Sequence, residues 1–313
     1  MSLGLALRRA IPQSLKNRLR QFSAPWRLSA LLSPYLPPAV CIDVGASYYP
    51  HAKWLMFLNA PEVRWIAVEP NEANLGYVRS WAWPCRVSTC TTGLSQEGGS
   101  QTLYVTNVDT GTSLLMPDIG PAMQHRITNL DYFFPVRERQ IETITLARVQ
   151  QDLPQDLPVF VKLDTQGTEL SILQGASALF DARRIVGIEL ESTLQAQPIM
   201  KGAGKFWQAC AYLEERGFEL LHVKPIHAVG RTGRGRARSL RYLNECDAIF
   251  AVRQDVARGL PVAHRASLLA FYLTNAFHEE GLCLMDADKE LCALLAARGC
   301  PIDRLRASLQ GFV

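Results

Sequence analysis

The sequence predicts an α/β protein built on a doubly wound, mostly parallel sheet. Three short apolar segments carry this prediction, because each leads into a polar or acidic residue and then a turn: 39–47, 64–71 and 159–167. Strands that are apolar along their whole length are typical of parallel sheets covered by helices on both faces. In such sheets the ligand crevice lies outside the carboxyl ends of the strands. We therefore expect a site where these three segments end.

The most informative segment is the third. Residues 159–163 form a β-branched and aromatic run, Asp164 follows it, and Gly167 opens a helical pattern in which apolar residues recur over 170–176. Asp164 is thus placed at the expected crevice, where catalytic carboxylates commonly lie. The alternative is a solvated aspartate at the end of a strand.

The first two segments repeat this design. The first turns at Gly45, and the second ends at Glu69, 24 residues later. A glycine turn lets the backbone approach a ligand closely. An acidic residue about 20 residues farther on, at the end of the second strand, is placed to bind a ribose diol. The two segments therefore predict a ribose-containing ligand.

The remaining pattern alternates strands and helices. The insertion between the extended pieces 101–107 and 141–146 is long, so we expect it to be a functional lid or a disordered loop. Further predicted elements are a third strand at 85–91 leading into Gly93, a fifth strand at 184–190, a helix at 205–216, strands at 218–223 and 246–252, and helices over the final 60 residues.

These segments resemble the FkbM family of S-adenosylmethionine-dependent methyltransferases. The resemblance implies a Rossmann-like class I methyltransferase fold, S-adenosylmethionine as cofactor, and O-methylation of a hydroxyl on a sugar, glycan or secondary metabolite. The sequence departs from the family at the glycine loop, where the usual pattern has asparagine at Ser47 and glycine at Tyr49. The matching motifs are Asp43-Val-Gly-Ala46, Val68-Glu-Pro-Asn71, Gly93-Leu-Ser95, Lys162-Leu-Asp-Thr-Gln-Gly-Thr-Glu169, Leu173-Gln-Gly-Ala176 and Ile188-Glu-Leu190.

The predicted cofactor site collects the residues at the strand ends. Its members are Asp43, Gly45, Ala46, Ser47, Glu69, Pro70, Asn71, Gly93, Leu94 and Asp164.

The predicted catalytic residues are carboxylates. A hydroxyl acceptor needs a base, and Asp164 is the first candidate. Glu189 and Glu191 lie two apart on the fifth strand, so their side chains point to the same face and join the predicted set. Three neighbouring carboxylates suit Mg²⁺ or Mn²⁺. We favour the alternative, in which one buried carboxylate acts as base without a metal.

The predicted acceptor site centres on an arginine-rich segment, Arg231–Arg241, which holds five arginines and no acid. Arginine binds phosphate and carboxylate through paired hydrogen bonds, so this segment predicts an anionic acceptor. The alternative is a solvated loop. RNA binding is less favoured, because the segment has no aromatic residue for base stacking. The predicted acceptor-binding residues are Gln166, Arg234, Arg236 and Arg238.

Composition and charge bound the class of protein. The chain has 313 residues, 48% of them hydrophobic and 20% charged, which is ordinary for a globular protein. Its formal charge of +4 is too small to indicate nucleic acid by itself. Eight scattered cysteines without a Cys-x-x-Cys pair predict a reduced, cytoplasmic setting and no zinc site.

We expect three parts along the chain: a basic, helical N-terminal extension (1–37), a methyltransferase domain (38–253) and a helical C-terminal extension (254–313). The first part has six basic residues and no acid. Such a helix can lie on anionic lipid, and the alternative is an ordinary helix that caps the sheet.

Three other functions share parts of this pattern. A nucleic-acid methyltransferase is less favoured, because the fourth strand ends in Asp-Thr-Gln-Gly rather than an Asn-Pro-Pro-Tyr turn. An NAD-dependent oxidoreductase would also have an acidic residue at the end of the second strand. It is less favoured, because this sequence lacks the full Gly-x-Gly-x-x-Gly pattern. A non-catalytic protein of the same fold is the third alternative.

Overall fold

The computed structural model describes residues 24–48, 50, 52–80, 82–120, 130–227 and 243–312. Within these ranges the strands are β1 (Ala39–Val44), β2 (Val63–Val68), β3 (Arg86–Cys90), β4 (Gly93–Leu94), β5 (Gly99–Thr106), β6 (Pro135–Ile144), β7 (Val159–Leu163), β8 (Ile185–Thr193), β9 (Phe218–His227) and β10 (Leu243–Val252). Each strand predicted from the sequence is found, with bounds that shift by a few residues.

Seven strands form the main sheet, in the order β3-β2-β1-β7-β8-β10-β9. The five from β3 to β8 are parallel, and β10 runs antiparallel to both of its neighbours. β1 lies between β2 and β7, so the three segments that predicted the site end side by side at one edge. The prediction of a mostly parallel, doubly wound sheet is confirmed.

The helices of the described ranges flank this sheet. They are α1 (Ala24–Leu32), α2 (Leu55–Leu58), α3 (Glu72–Arg79), α4 (Leu146–Val149), α5 (Glu169–Gln174), α6 (Ser177–Asp181), α7 (Phe206–Glu214), α8 (Gln254–Ala257), α9 (Val262–Thr274), α10 (His278–Ala287), α11 (Lys289–Ala297) and α12 (Ile302–Gln310), with 3₁₀ turns at Ser33–Tyr35, Ala52–Trp54, Asp109–Gly111 and Leu130–Phe133.

The helix predicted after Asp164 is shorter than its apolar pattern. It ends at Gln174, and a second helix begins at Ser177. Gly175 separates the two, because the backbone of Gln96 passes so close that a Cβ atom at Gly175 would lie 2.5 Å from its carbonyl oxygen. The apolar residues keep their helical spacing through Gly175, so the break between the two helices could not be predicted from the sequence.

The C-terminal helices contribute to the same hydrophobic core as the sheet. Phe271 of α9 stacks on Phe160 of β7, with ring centroids 5.3 Å apart, and Phe57 packs on the same ring at 4.6 Å. Gly187 makes room for this layer, since a Cβ atom there would lie 2.8 Å from the Phe271 ring. Aromatic contacts of this kind stabilise beyond their buried area. The three-part division of the chain stays a prediction, and residues 1–23 lie outside the described ranges.

The two extended pieces that flank the long insertion, β5 and β6, belong to a small second sheet of the order β4-β6-β5. β5 and β6 form an antiparallel pair, and β4 runs parallel to β6. Between β5 and β6, residues 107–118 lie against the carboxyl-end edge of the main sheet; we call this segment the strap. Its contacts with the main sheet are what make the insertion part of the site.

Candidate active site

A cavity lies at the carboxyl ends of β1, β2 and β7, where the sequence predicted a cofactor. Seven of the ten predicted cofactor residues line it: Gly45, Ser47, Glu69, Pro70, Gly93, Leu94 and Asp164. The strap supplies the facing wall through Asp109, Thr110, Thr112, Ser113 and Leu114. We refer to this space as the first cavity.

The Gly45 turn explains how closely β1 and β7 approach at the base of the first cavity. Gly45 has a φ of +76°, and a Cβ atom there would lie 1.9 Å from the backbone oxygen of Asp164. The backbone amide of Asp164 donates to the Val44 carbonyl at 3.1 Å, and that of Gly45 donates to the Val68 carbonyl at 3.0 Å. Only glycine fits this turn, because any side chain would collide with the backbone after β7.

Glu69 lies at the end of β2, with its carboxylate in the first cavity. The backbone amide of Asn71 donates to its Oε1 at 2.7 Å. Burial raises the pKa of Glu69 to about 7; the Asn71 hydrogen bond opposes this shift, and the negative charges of Asp109 and Asp43 add to it. The carboxyl group therefore changes charge near neutral pH.

The other three predicted cofactor residues support the cavity from outside it. Asn71 caps α3, with its side chain accepting from the backbone amide of Ala73 at 3.2 Å. Ala46 is buried, and Asp43 lies beneath the turn with only 3% of its surface exposed.

Asp43 belongs to a row of buried charges that crosses three strands. The sheet register places Asp43 of β1 beside Lys162 of β7, and Lys162 beside Glu189 of β8. The Lys162 Nζ atom lies 3.2 Å from Asp43 Oδ1 and 3.6 Å from Asp164 Oδ2. Burial alone would lower the pKa of this ammonium group, but the carboxylates of Asp43, Asp164 and Glu189 raise it. Lys162 is therefore a buried counter-ion under the site, and the sequence analysis did not identify it.

Glu189 lies in this row and lines neither cavity. The indole Nε1 of Trp54 donates to its Oε2 at 2.7 Å, and Lys53 pairs with its Oε1. Both carboxylate oxygens thus have partners from the turn that follows β1. The structure separates Glu189 from the other two predicted catalytic residues.

Asp164 and Glu191 are brought together through Gln166. The Gln166 side-chain amide donates to Glu191 Oε1 at 2.7 Å and to Asp164 Oδ1 at 3.3 Å. Burial raises the pKa of Glu191 to about 9, and the charge of Asp164 adds to the shift. Burial and the neighbouring charge of Asp164 thus favour the protonated form of Glu191.

A second cavity begins on the other side of Gln166, which lines both spaces. Its polar wall includes Glu191 and Glu245, and burial raises the pKa of Glu245 to about 7. Its apolar wall comes from Phe133, Pro198, Ile199, Met200 and Ala203. No basic residue is found among the described residues that line it.

The segment between the two cavities is held by Glu169. Its carboxylate accepts from the backbone amides of Thr165 at 2.7 Å and Gly167 at 3.0 Å. Gln166 between them has a φ of +59°, which is uncommon outside glycine. Glu169 therefore fixes the turn that aims the Gln166 side chain at Glu191.

The predicted acceptor residues Arg234, Arg236 and Arg238 lie outside the described ranges, as does all of 228–242. The residues that flank this segment, His227 and Leu243, pair with each other. Glu245, two residues farther on, pairs with Thr193 of β8, and both line the second cavity. The described ends of the segment thus lie beside the second cavity.

The structure also bears on metal ions and membranes. In the described part of the chain, no three or more His, Cys, Asp or Glu side chains are grouped to hold a metal ion. Among the described helices, none has both the length and the apolar character to cross a bilayer.

A family comparison identifies the chain. The model of the methyltransferase FkbM domain matches residues 43–220, more than half of the sequence. The chain belongs to the FkbM methyltransferase family. The matched range includes all three strand ends of the first cavity and the Gln166–Glu191 contact. The predicted family, the methyltransferase activity and the Rossmann-like fold with a helical C-terminal region are confirmed.

Several solved structures are similar to this FkbM methyltransferase at low identity. A precorrin-6y C5,15-methyltransferase from Geobacter metallireducens is 14% identical, with 73% of this chain and 88% of that chain covered and a TM-score of 0.31. A 1,6-didemethyltoxoflavin-N1-methyltransferase from Burkholderia thailandensis is 12% identical, with 77% and 84% covered and a TM-score of 0.31. An S-adenosylmethionine-dependent methyltransferase from Anabaena variabilis is 13% identical, with 72% and 81% covered and a TM-score of 0.33. A comparison with curated proteins found no match.

Proposed function

We propose that this FkbM methyltransferase binds S-adenosylmethionine in the first cavity and methylates a hydroxyl group of a small-molecule or glycan acceptor in the second. The observation that carries the proposal is the arrangement of two cavities that share Gln166, with Asp164 on one side of it and Glu191 on the other. A donor and an acceptor bound in adjoining spaces meet without a large rearrangement, which favours transfer through proximity.

The first cavity fits the proposed cofactor in three respects. The Gly45 turn lines the cavity and brings the ends of β1 and β7 close together beneath it. Glu69 presents a carboxylate that can accept two hydrogen bonds from a ribose diol. Leu94 and Leu103 give the cavity an apolar surface suited to a purine ring. When bound, S-adenosylmethionine supplies a methyl group that its sulfonium already activates.

We assign the base to Asp164. Glu191 is less suited to this role, because burial and the charge of Asp164 favour its protonated form and a base must accept a proton. The Asp164 carboxylate lines the first cavity, contacts the Gln166 amide and pairs with buried Lys162. In this role Asp164 accepts the hydroxyl proton of the acceptor, while Gln166 orients the two carboxyl groups.

The walls of the second cavity support an acceptor with neutral, hydroxyl-bearing parts. The carboxyl groups of Glu191 and Glu245 accept hydrogen bonds from hydroxyls, and the apolar wall packs against ring carbons. An anionic group in this space would meet carboxyl oxygens, and no basic side chain among the described lining residues would pair with it. We propose that the arginine-rich segment Arg231–Arg241 binds any such group outside the described cavity.

The proposal includes a cytoplasmic location, supported by eight cysteines that are all free thiols. Contact of the basic N-terminus with anionic lipid also remains a proposal. A metal ion, Mg²⁺ or Mn²⁺, is not favoured as a cofactor.

Replacing Glu69 by alanine is expected to weaken S-adenosylmethionine binding by about tenfold or more, because hydrogen bonds to a charged group contribute about 1.5–3 kcal/mol each. In the parent protein the affinity should also rise as pH increases through about 7, because deprotonation of Glu69 creates the acceptor that the ribose requires. Isothermal titration calorimetry between pH 6 and 9 measures both effects.

Glu69→Gln is the matched control, since it keeps the shape of the side chain and removes its titration. Its affinity should be low and nearly independent of pH over this range. NAD serves as the competing ligand, and tight binding of NAD in place of S-adenosylmethionine would contradict the proposed cofactor. A folded Glu69→Ala protein with unchanged affinity would contradict the assignment of Glu69.

Replacing Arg234, Arg236 and Arg238 together by alanine is expected to raise the KM for an anionic acceptor several-fold, and to flatten its salt dependence. Five like charges in one segment attract an anion at long range, and salt screens that attraction. The affinity for S-adenosylmethionine should not change. Steady-state kinetics at several salt concentrations test this, and an anionic acceptor whose KM is unaffected would show that the segment does not bind it.

A further inference from the structure

The loop that follows β1 makes a side-chain contact with the strap across the mouth of the first cavity. The Tyr48 hydroxyl donates to Asp109 Oδ2 at 2.8 Å. Asp109 lies in the strap and itself lines the cavity. The contact therefore joins the floor of the proposed cofactor site, at the Gly45 turn, to its facing wall.

Tyr48 holds an unusual backbone conformation in order to make this contact. Its φ is +60°, in the left-handed region that bulky residues rarely adopt. Its ring packs on Tyr77 of α3, with centroids 5.3 Å apart. Strained residues of this kind persist where the surrounding structure holds them, and they concentrate at ligand clamps. The same side chain donates its hydroxyl group to Asp109.

The opposite side of the strap is held in a different way. Ser113 Oγ donates to the Gln166 carbonyl at 2.9 Å, and Ser113 exchanges backbone hydrogen bonds with Tyr104 of β5. The backbone amide of Asp118 donates to the Ile199 carbonyl at 2.6 Å. These contacts tie residues 113–118 to the second sheet, to the turn after β7 and to the segment after β8. The Asp109 side of the strap is hydrogen-bonded to the backbone of residues 132–134, and it meets the β1 loop through a side-chain hydrogen bond, which can break without disturbing a sheet.

We propose that Tyr48 and Asp109 form a latch that closes the strap over the bound cofactor and limits the rate at which the cofactor leaves. The proposal rests on the proposed function, because it takes the ligand of the first cavity to be S-adenosylmethionine. Tyr48 is a positioning residue in this scheme: it acts on the cofactor through Asp109 and the strap. Because the Asp109 carboxylate accepts its hydrogen bond, the pKa of Tyr48 is raised to about 12, so the phenol remains a donor at physiological pH.

The experiment measures release of the cofactor directly. Full-length protein is loaded with tritiated S-adenosylmethionine, chased with excess unlabelled compound and sampled by rapid filtration. We expect Tyr48→Phe and Asp109→Ala each to release the label about five- to tenfold faster, as a charge-assisted hydrogen bond at a partly exposed site implies. The double variant should match the faster single variant, because both changes break one bond.

Tyr77→Phe is the matched control, since it removes a hydroxyl from the neighbouring ring and keeps the aromatic contact with Tyr48. Its release rate should equal that of the parent. Fully additive effects of Tyr48→Phe and Asp109→Ala would overturn the latch, and so would unchanged release in both variants.

A second measurement separates the latch from the identity of the cofactor. Amide hydrogen exchange of residues 107–118 in the ligand-free protein should be faster in Tyr48→Phe than in the parent or in Tyr77→Phe. Faster exchange in a protein that fails to bind S-adenosylmethionine would contradict the proposed cofactor and support the closure of the strap by Tyr48. Unchanged exchange would overturn the latch whatever the ligand.

Discussion

Replacing Lys162 by methionine is expected to destabilise the protein by about 3–5 kcal/mol, because the change leaves Asp43 as a buried charge without its counter-ion. Lys162 and Asp43 are 8% and 3% exposed, and their charged atoms are 3.2 Å apart. Guanidinium-induced unfolding followed by circular dichroism measures the loss. The variant Asp43→Asn/Lys162→Met, which removes both charges, should recover most of it.

The chain offers a control at the same distance. Lys224 and Asp247 also approach to 3.2 Å, but the Lys224 side chain is 67% exposed. Lys224→Met should cost no more than about 1 kcal/mol, as for other surface ion pairs. If Lys162→Met were no more costly than Lys224→Met, the description of Lys162 as a buried counter-ion would be wrong.

Replacing Asp164 by asparagine is expected to lower the turnover number by about 100-fold or more, which is a typical loss for a general base. Affinity for S-adenosylmethionine should stay within a few-fold of the parent, because Glu69 and the Gly45 turn remain. Transfer of the tritiated methyl group to any acceptor that the parent enzyme modifies measures the first effect, and calorimetry measures the second.

Glu191→Gln is the comparison variant for this experiment. Because the raised pKa of Glu191 favours its neutral form, replacing it by a neutral amide should lower the rate less than tenfold at pH 7. If EDTA abolishes the activity and Mg²⁺ or Mn²⁺ restores it, Asp164 is a metal ligand rather than the base. Near-normal turnover of Asp164→Asn would exclude both roles.

The strand ends of the site were predictable from local pattern alone. Glu69 and Asp164 each follow an apolar run, and Gly45 marks a turn, so their common edge follows from the rules of parallel sheets. Seven of the predicted cofactor residues do line the first cavity. The roles of the predicted site residues remain predictions that the experiments above address.

Contacts between distant segments were not predictable in this way. The partnership of Lys162 with Asp43 depends on β1 and β7 being neighbours in register, and that of Glu189 with Trp54 joins residues 135 positions apart. Sequence spacing placed Glu189 and Glu191 on one face, but it could not show that Lys53 and Trp54 occupy the first of them. The strap has no regular periodicity, so the hydrogen bond between Tyr48 and Asp109 could not be predicted from the sequence either.

The position of α9 has a consequence for how the protein is made. Phe271 covers Phe160 and the Gly187 gap, and Thr274 meets Met56 from a position 218 residues later in the chain. During synthesis, the aromatic residues on this face of the sheet therefore stay exposed until α9 has emerged from the ribosome exit tunnel. Exposed apolar surface in such nascent intermediates promotes aggregation and recruits chaperones. We therefore expect the yield of folded enzyme to depend on the rate of translation and on the supply of chaperones, even if the folded protein is stable.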